Sequence, residues 1–259
     1  MPVSDNFFLL LPRKVITKKM NLIIEQGNTM LKVAVFDGNE RVMFFMKENN
    51  DLSWIHEVFE QYQPDKGIMS SVTGHNKKLM HILKSMLPCF LWFDETVSVP
   101  VYIEYETINT LGKDRIAAVV GAQYLRPGQN VLVIDAGTAI TYELLEASGV
   151  YKGGNISPGL TTRFRSLNMF TKQLPLVQEQ ALIPFLGTDT ESAILAGVVN
   201  GMVFEIDGCI DALTVKYNDI YIFLTGGHGF YFENRLKNRT FAEPYLVLIG
   251  LNSILEYNV

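Results

Sequence analysis

Apolar and polar positions fall along this chain in two alternating periods. Short apolar runs bounded by turn residues predict strands at Asn21–Gln26, Leu31–Phe36 and Val42–Met46, with Asp37-Gly38-Asn39 as the hairpin turn between the last two. The period then changes. Leu52, Ile55, Val58, Phe59 and Tyr62 share one helical face, so Leu52–Tyr62 is predicted as a helix, with Asp51 as N-cap and Pro64 closing it. Gly67–Val72 follows as a buried strand, Lys77–Leu87 as a helix that turns Leu79, Ile82, Leu83 and Met86 inward, and Cys89–Phe93 as a further strand. Three strands and then helix–strand–helix–strand describe a mixed sheet of α/β type.

The second half opens in the same way, with strands at Asn130–Asp135, Ala139–Glu146 and Tyr151–Ile156. Before them a helix starts near Leu111-Gly112-Lys113-Asp114-Arg115 and continues through Ile116, Val119, Val120 and Tyr124. After them Asp189–Tyr217 holds a helical period through Ile194, Leu195, Val198, Met202, Phe204, Ile206 and Ile210. A buried strand, Ile220–Leu224, ends in Thr225-Gly226-Gly227, and a last helix runs over Tyr245–Tyr257. The organisation expected is an N-terminal half over residues 20–110 and a C-terminal half over 111–259, forming one body with a cleft. Residues 1–19 read as a flexible extension, because Met20 directly precedes the first strand.

Composition narrows the class. With 48% hydrophobic residues in 259, the chain can bury a large core. A net charge of −5, with no basic cluster beyond Arg13, Lys14, Lys18 and Lys19, gives no footprint for nucleic acid. No apolar run reaches the roughly 18–20 residues of a membrane span, so no membrane partner is expected. Cys89 and Cys209 form neither a disulfide framework nor a zinc pattern, which points to the cytoplasm. His56, His75, His81 and His228 show no metal-ligand spacing.

The candidate chemistry lies in a repeat. Leu22-Ile23-Ile24-Glu25-Gln26-Gly27-Asn28-Thr29 aligns without gaps on Leu132-Val133-Ile134-Asp135-Ala136-Gly137-Thr138-Ala139. Each is an apolar strand that ends in a carboxylate and turns on Gly beside hydroxyl or amide side chains. One such turn is an ordinary hairpin. Two of them facing each other could grip a polyphosphate, with backbone N–H groups on the anion and carboxylates on its cations. Lys32 adds a cation on the strand leaving the first turn, directed at either the sheet face or the cleft. Asp114, near a helix start, is either a first-turn acid or a general base, and Arg115 beside it can pair with an acidic substrate. The Gly pair after Thr225 would let a base and ribose approach the backbone.

These motifs together resemble the type III pantothenate kinases, a branch of the actin-like and sugar-kinase ATPase superfamily, from Met20 to the C-terminus. The first phosphate motif matches Glu25, Gly27, Asn28, Thr29 and Lys32; a Tyr followed by Gly-x-Asp-Arg matches Tyr105 and Gly112-Lys113-Asp114-Arg115. The second phosphate motif matches Asp135, Gly137, Thr138, Ala139 and Thr141, and a Gly-Gly-x-Ile-x-Pro-Gly run matches Gly153, Gly154, Ile156, Pro158 and Gly159. Thr190 and Thr225-Gly226-Gly227 complete the order. Glu25 stands where the family has Asp, one methylene longer, and Tyr105 lacks the proline that often follows.

The resemblance implies two ribonuclease H-like half-domains, with mixed sheets flanked by helices around a cleft. It implies ATP-dependent phosphorylation of pantothenate, the first step of coenzyme A synthesis, with Asp114 as catalytic base. It places Glu25, Gln26, Gly27, Asn28, Thr29, Lys32, Gly137, Thr138, Gly226 and Gly227 on ATP, and Tyr105, Gly112, Lys113, Arg115 and Thr190 on pantothenate. Asp135 would hold K⁺ (or NH₄⁺) and Glu25 Mg²⁺, in a homodimer whose partner chain supplies Thr190. The rival expectations are a catalytically weak regulatory paralogue, or a kinase for another small hydroxy acid.

Overall fold

The computed structural model describes residues 19–74 and 76–259. The expected N-terminal extension, apart from residue 19, lies outside the described residues, as does His75. The first sheet contains β1 (Met20–Gln26), β2 (Met30–Asp37), β3 (Glu40–Glu48), β4 (Lys66–Ser71) and β5 (Cys89–Trp92), in the spatial order β3-β2-β1-β4-β5. β1 is buried along its whole length. It pairs antiparallel with β2 and parallel with β4, which explains an almost unbroken apolar run where a half-exposed strand would alternate. Helices α1 (Trp54–Tyr62) and α2 (Lys77–Met86) cover its outer face, where Ile55, Val58, Leu79 and Leu83 pack on Leu22, Ile24, Leu31 and Val33.

The second sheet contains β6 (Tyr102–Ile103), β7 (Asn130–Ala136), β8 (Ala139–Leu145), β9 (Val150–Pro158), β10 (Ile220–Thr225) and β11 (Phe241–Ala242). Its order, β11-β10-β7-β8-β9-β6, repeats the first sheet as β9-β8-β7-β10-β11 and adds β6 at the β9 edge. Helices α4 (Leu160–Phe170), α5 (Thr190–Lys216) and α6 (Gly229–Glu233) cover its outer face through Phe164, Ile194, Val198, Met202, Ile206 and Phe232. Between the sheets lie α3 (Lys113–Leu125) and α7 (Leu246–Asn258), whose residues join side chains from both sheets in one core. That position explains why α3 is buried from Arg115 through Ala122 and shows no polar face. The chain thus enters the second sheet at β6, before residue 110, and returns to the first sheet's inner face with α7.

Several details differ from the sequence reading. Asp51 does not cap α1; its carboxylate accepts from the Ser53 amide (2.9 Å) and hydroxyl (2.5 Å), and the helix starts only at Trp54. Phe204 is 61% exposed. It lies two residues from both Met202 and Ile206, and residues at that spacing occupy opposite sides of a helix. The helix α4 went unpredicted because only Leu160 and Phe164 are buried, a stripe too sparse to read after a Pro-Gly break. Helix α5 is long and apolar enough to cross a bilayer by length and composition, and half of that stretch is buried within the protein. Its Asp207 accepts hydrogen bonds from the backbone amides of Lys237 (3.1 Å) and Asn238 (3.2 Å).

A polar clasp fixes α7 to the first sheet. Fully buried Asn21 donates to Asn252 Oδ1 (2.9 Å) and Glu256 Oε1 (2.7 Å), and Asn252 donates to the Gly38 carbonyl (2.9 Å). The substitution Asn252→Ala removes an acceptor and a donor inside the core. It is expected to cost about 1–3 kcal/mol in denaturant unfolding, and an unchanged midpoint would show that the clasp contributes nothing.

Candidate active site

The two acid turns are equivalent in register. Glu25 and Asp135 each occupy the sixth position of a seven-residue strand. Glu25 faces Lys32 on the antiparallel neighbour and Ser70 on the parallel one. Asp135 faces Thr141 and Thr225 in the same way. The amide of Gly27 donates to Met30 O (2.9 Å) and that of Gly137 to Ala139 O (3.1 Å), so both glycine amides are spent inside their hairpins. The amides of Asn28, Thr29 and Thr138 have no hydrogen-bond partner among the described residues, which leaves them as the donors for an anion. Gln26 is buried, and its Oε1 has no partner among the described residues.

Lys32 turns towards the cleft. Its Nζ bonds Glu25 Oε2 at 2.8 Å. Burial works against the ammonium, but the carboxylates of Glu25, Asp135 and Asp114 more than offset it, and its pKa is raised. Burial pushes the Asp135 carboxyl up to about 7; Lys32 opposes this, while Glu25 and Asp114 add to it. The two hairpins and the start of α3 therefore bring three carboxylates and one ammonium within electrostatic reach of each other. A multiply charged anion entering there would meet net negative charge unless cations came with it. The Asp135 carboxylate accepts no hydrogen bond from a described residue, so its lone pairs remain available to a cation.

Asp114 stands in the first turn of α3. One oxygen, Oδ1, accepts from the Arg115 amide (2.9 Å), so the helix-start role is met and Oδ2 is left over. Gly112 precedes it at the N-cap, and a Cβ there would lie 2.5 Å from Asp114 Oδ1. Lys113 extends its ammonium over the Phe93 ring, 5.9 Å from the centroid. Arg115 is not a free guanidinium. Its Nε and Nη2 fork onto fully buried Glu143 at 2.6 and 2.8 Å, and the Tyr151 hydroxyl donates to the same carboxylate. The Tyr105 ring stacks on Tyr151 with centroids 6.4 Å apart and lies beside the guanidinium.

Glu143 and Tyr151 were missed in the sequence. A signal existed: Glu143 lies two residues beyond Thr141 on β8, hence on the same face, and a carboxylate inside an apolar strand needs a partner. The third turn closes on the second. Gly226 has φ +85°, and a Cβ there would come within 2.3 Å of Asp135 Oδ1, so only glycine fits. Gly227 faces open space. The His228 amide ties this turn to Ala136 O at 3.0 Å, while its ring faces Glu179 at 3.8 Å; His56 and His81 are exposed. Thr190 is the first residue of α5 and lines a cavity of about 670 Å³ with Arg163, Leu167, Leu174, Ala193 and Val198. None of the acid-turn residues lines that cavity.

Removing the Arg115 partner tests this network. The substitution Glu143→Ala leaves a buried guanidinium unpaired and is expected to destabilise the fold by roughly 3–5 kcal/mol, read by denaturant unfolding. The substitution Glu143→Gln keeps an acceptor and should lose less. Equal and small losses would show that the ion pair is not what holds Arg115.

The family model described as type III pantothenate kinase matches residues 21–212. A Phocaeicola vulgatus protein described as a type III pantothenate kinase is 45% identical over 239 residues, covering 92% of this chain and 99% of its own length. One from Bacteroides fragilis is 47% identical, with 92% and 98% covered. Among solved structures, a Campylobacter jejuni protein described as a Baf family transcriptional activator superposes with a TM-score of 0.61 at 22% identity, covering 92% of this chain and 98% of its own. A ROK family glucokinase from Streptomyces griseus, in complex with glucose and AMPPNP, superposes at 0.52 with 10% identity, covering 92% and 99%. At those identities the structures speak for the fold alone, which is the sugar-kinase fold of two facing α/β halves. The family model and the end-to-end relatives go further: this chain belongs to the type III pantothenate kinase family.

Proposed function

We propose that the protein transfers the γ-phosphoryl group of ATP to the primary hydroxyl of pantothenate, giving 4′-phosphopantothenate and ADP, the first step towards coenzyme A. The observation that carries this is the meeting of Lys32, Glu25 and Asp135 from the two acid turns with Asp114 from α3. Phosphoryl transfer needs positioning and charge compensation more than covalent chemistry. The Asn28, Thr29 and Thr138 amides and the Lys32 ammonium take the phosphates, and Gly226 and Gly227 take the adenosine side. Asp114, through the oxygen that the Arg115 amide does not take, accepts the proton of the attacking hydroxyl. Arg115 offers Nη1, the guanidinium nitrogen that Glu143 does not take, to the pantothenate carboxylate. Tyr105, Gly112 and Lys113 line the same approach.

The residues fit the cations that this family uses. Asp135, half-buried and within electrostatic reach of Glu25 and Asp114, with lone pairs unspent, suits K⁺ or NH₄⁺. Among the described residues no cluster of three or more His, Cys, Asp or Glu side chains could hold a metal. Mg²⁺ would therefore be held by Glu25 alone, with water and the phosphates of ATP completing its shell, as that ion prefers. When bound, these ions neutralise phosphate charge. The rest of the work falls to the side chains above.

We assign the active form to a homodimer in the cytoplasm. Phe170, Leu182, Phe185, Leu186 and Phe204 expose apolar surface on and before α5, and Thr190 at its start serves the partner's site. No step calls for nucleic acid or a membrane.

The test is an assay of ATP consumption coupled to pantothenate. The substitution Asp114→Asn should lower kcat by about 10²–10⁴-fold without moving the thermal midpoint, and exchanging K⁺ for Na⁺ should slow the wild-type protein. ATP turnover that does not depend on pantothenate, or full activity in Asp114→Asn, contradicts the reading.

A further inference from the structure

Each phosphate turn is tied from outside its own hairpin by a side chain that no motif includes. Asn49, just past the end of β3, donates through Nδ2 to the carbonyl oxygens of Gly27 (3.0 Å) and Asn28 (3.2 Å). Thr162, in the first turn of α4, donates through Oγ1 to the carbonyl oxygen of Thr138 (2.7 Å), which also accepts from the Gly159 amide (3.1 Å). The two ties act on equivalent peptide groups. Asn28 lies three residues after Glu25, and Thr138 three after Asp135. The donors come from different kinds of element, the end of a strand and the start of a helix.

We propose that Asn49 and Thr162 are positioning residues for the nucleotide phosphates, Asn49 by fixing the peptides that carry the Asn28 and Thr29 amides and Thr162 by holding the Thr138 carbonyl away from the phosphate; this rests on the reading that the turns hold ATP. A trans peptide is planar, so the carbonyl of one residue and the N–H of the next point in opposite directions. Tying the Gly27 and Asn28 carbonyls thus aims the Asn28 and Thr29 amides away from Asn49. Those two amides have no hydrogen-bond partner among the described residues. A tied carbonyl also cannot rotate to present its partial negative charge to a phosphate. Asn49 Oδ1 is buried without a partner among the described residues, so the residue acts through its donor arm. Turns left free would have to be ordered by the nucleotide itself, and affinity would fall accordingly.

The experiment measures ATP binding by calorimetry and steady-state kinetics for both substrates, on the full chain, with Asn49→Ala, Thr162→Val and the double variant. Each single change should weaken ATP binding and raise KM for ATP roughly five- to tenfold, the value of one hydrogen bond. The expected kcat stays within about threefold and KM for pantothenate within about twofold, because the other half of the site is untouched. Thr162→Ser keeps the hydroxyl and should restore wild-type ATP affinity, which a merely structural role for the threonine methyl would not. Unchanged ATP affinity in both single variants, or equal rises in both KM values, overturns the proposal while leaving the kinase reading intact. A wild-type protein that neither binds ATP nor phosphorylates pantothenate removes both together.

Discussion

One ammonium group holds the site together. Lys32 lies against Glu25 on the first sheet and feels Asp135 from the second sheet and Asp114 from the helix between them. Without that cation, three carboxylates would face each other across the cleft, and burial alone already disfavours the charge on Asp135. The arrangement is therefore short of positive charge by construction. A substrate that arrives with its own cations completes it, which is how ATP travels. The same shortage would penalise an anion that came without them.

The fold makes this meeting a consequence of repetition. Both sheets share one strand order, and both place an acid at the same position of the central strand, beside a hydroxyl residue on the parallel neighbour. The buried helices α3 and α7 form the layer between the sheets, and the Asn21–Asn252 clasp secures α7 to the first of them. Because α3 starts at the mouth of that layer, Asp114 is delivered to the place where the two acid turns face each other. Arg115 follows it into the interior, where Glu143 and Tyr151 fix its orientation.

Much of this was legible in the residues. The succession of strands and helices along the chain followed from two periods of apolar positions, and the repeated acid–Gly turn was readable because its backbone geometry depends on few residues. What was not legible depended on contacts between distant segments. Alternation left the direction of Lys32 open, since only pairing with Glu25 and the approach of the second sheet decide it. The partner that orients Arg115 was not legible, because Glu143 lies 28 positions away on another strand. Asp51 resembled a cap and instead forms a local turn with Ser53, and Phe204 entered a helical stripe that the true helix phase turns to solvent. Asn49 and Thr162 carry no motif, because a hydrogen bond to a carbonyl leaves no trace in composition.

The central claim is that groups from the two halves act as one electrostatic unit on the nucleotide. A double-mutant cycle with Lys32→Met and Asp135→Asn, read as ATP affinity by calorimetry at fixed K⁺ and Mg²⁺, measures it directly. Coupling of more than about 0.5 kcal/mol between the two positions is the outcome this account requires. Losses that simply add, within roughly 0.3 kcal/mol, would mean that the two sheets hold independent sites, and the account would be wrong.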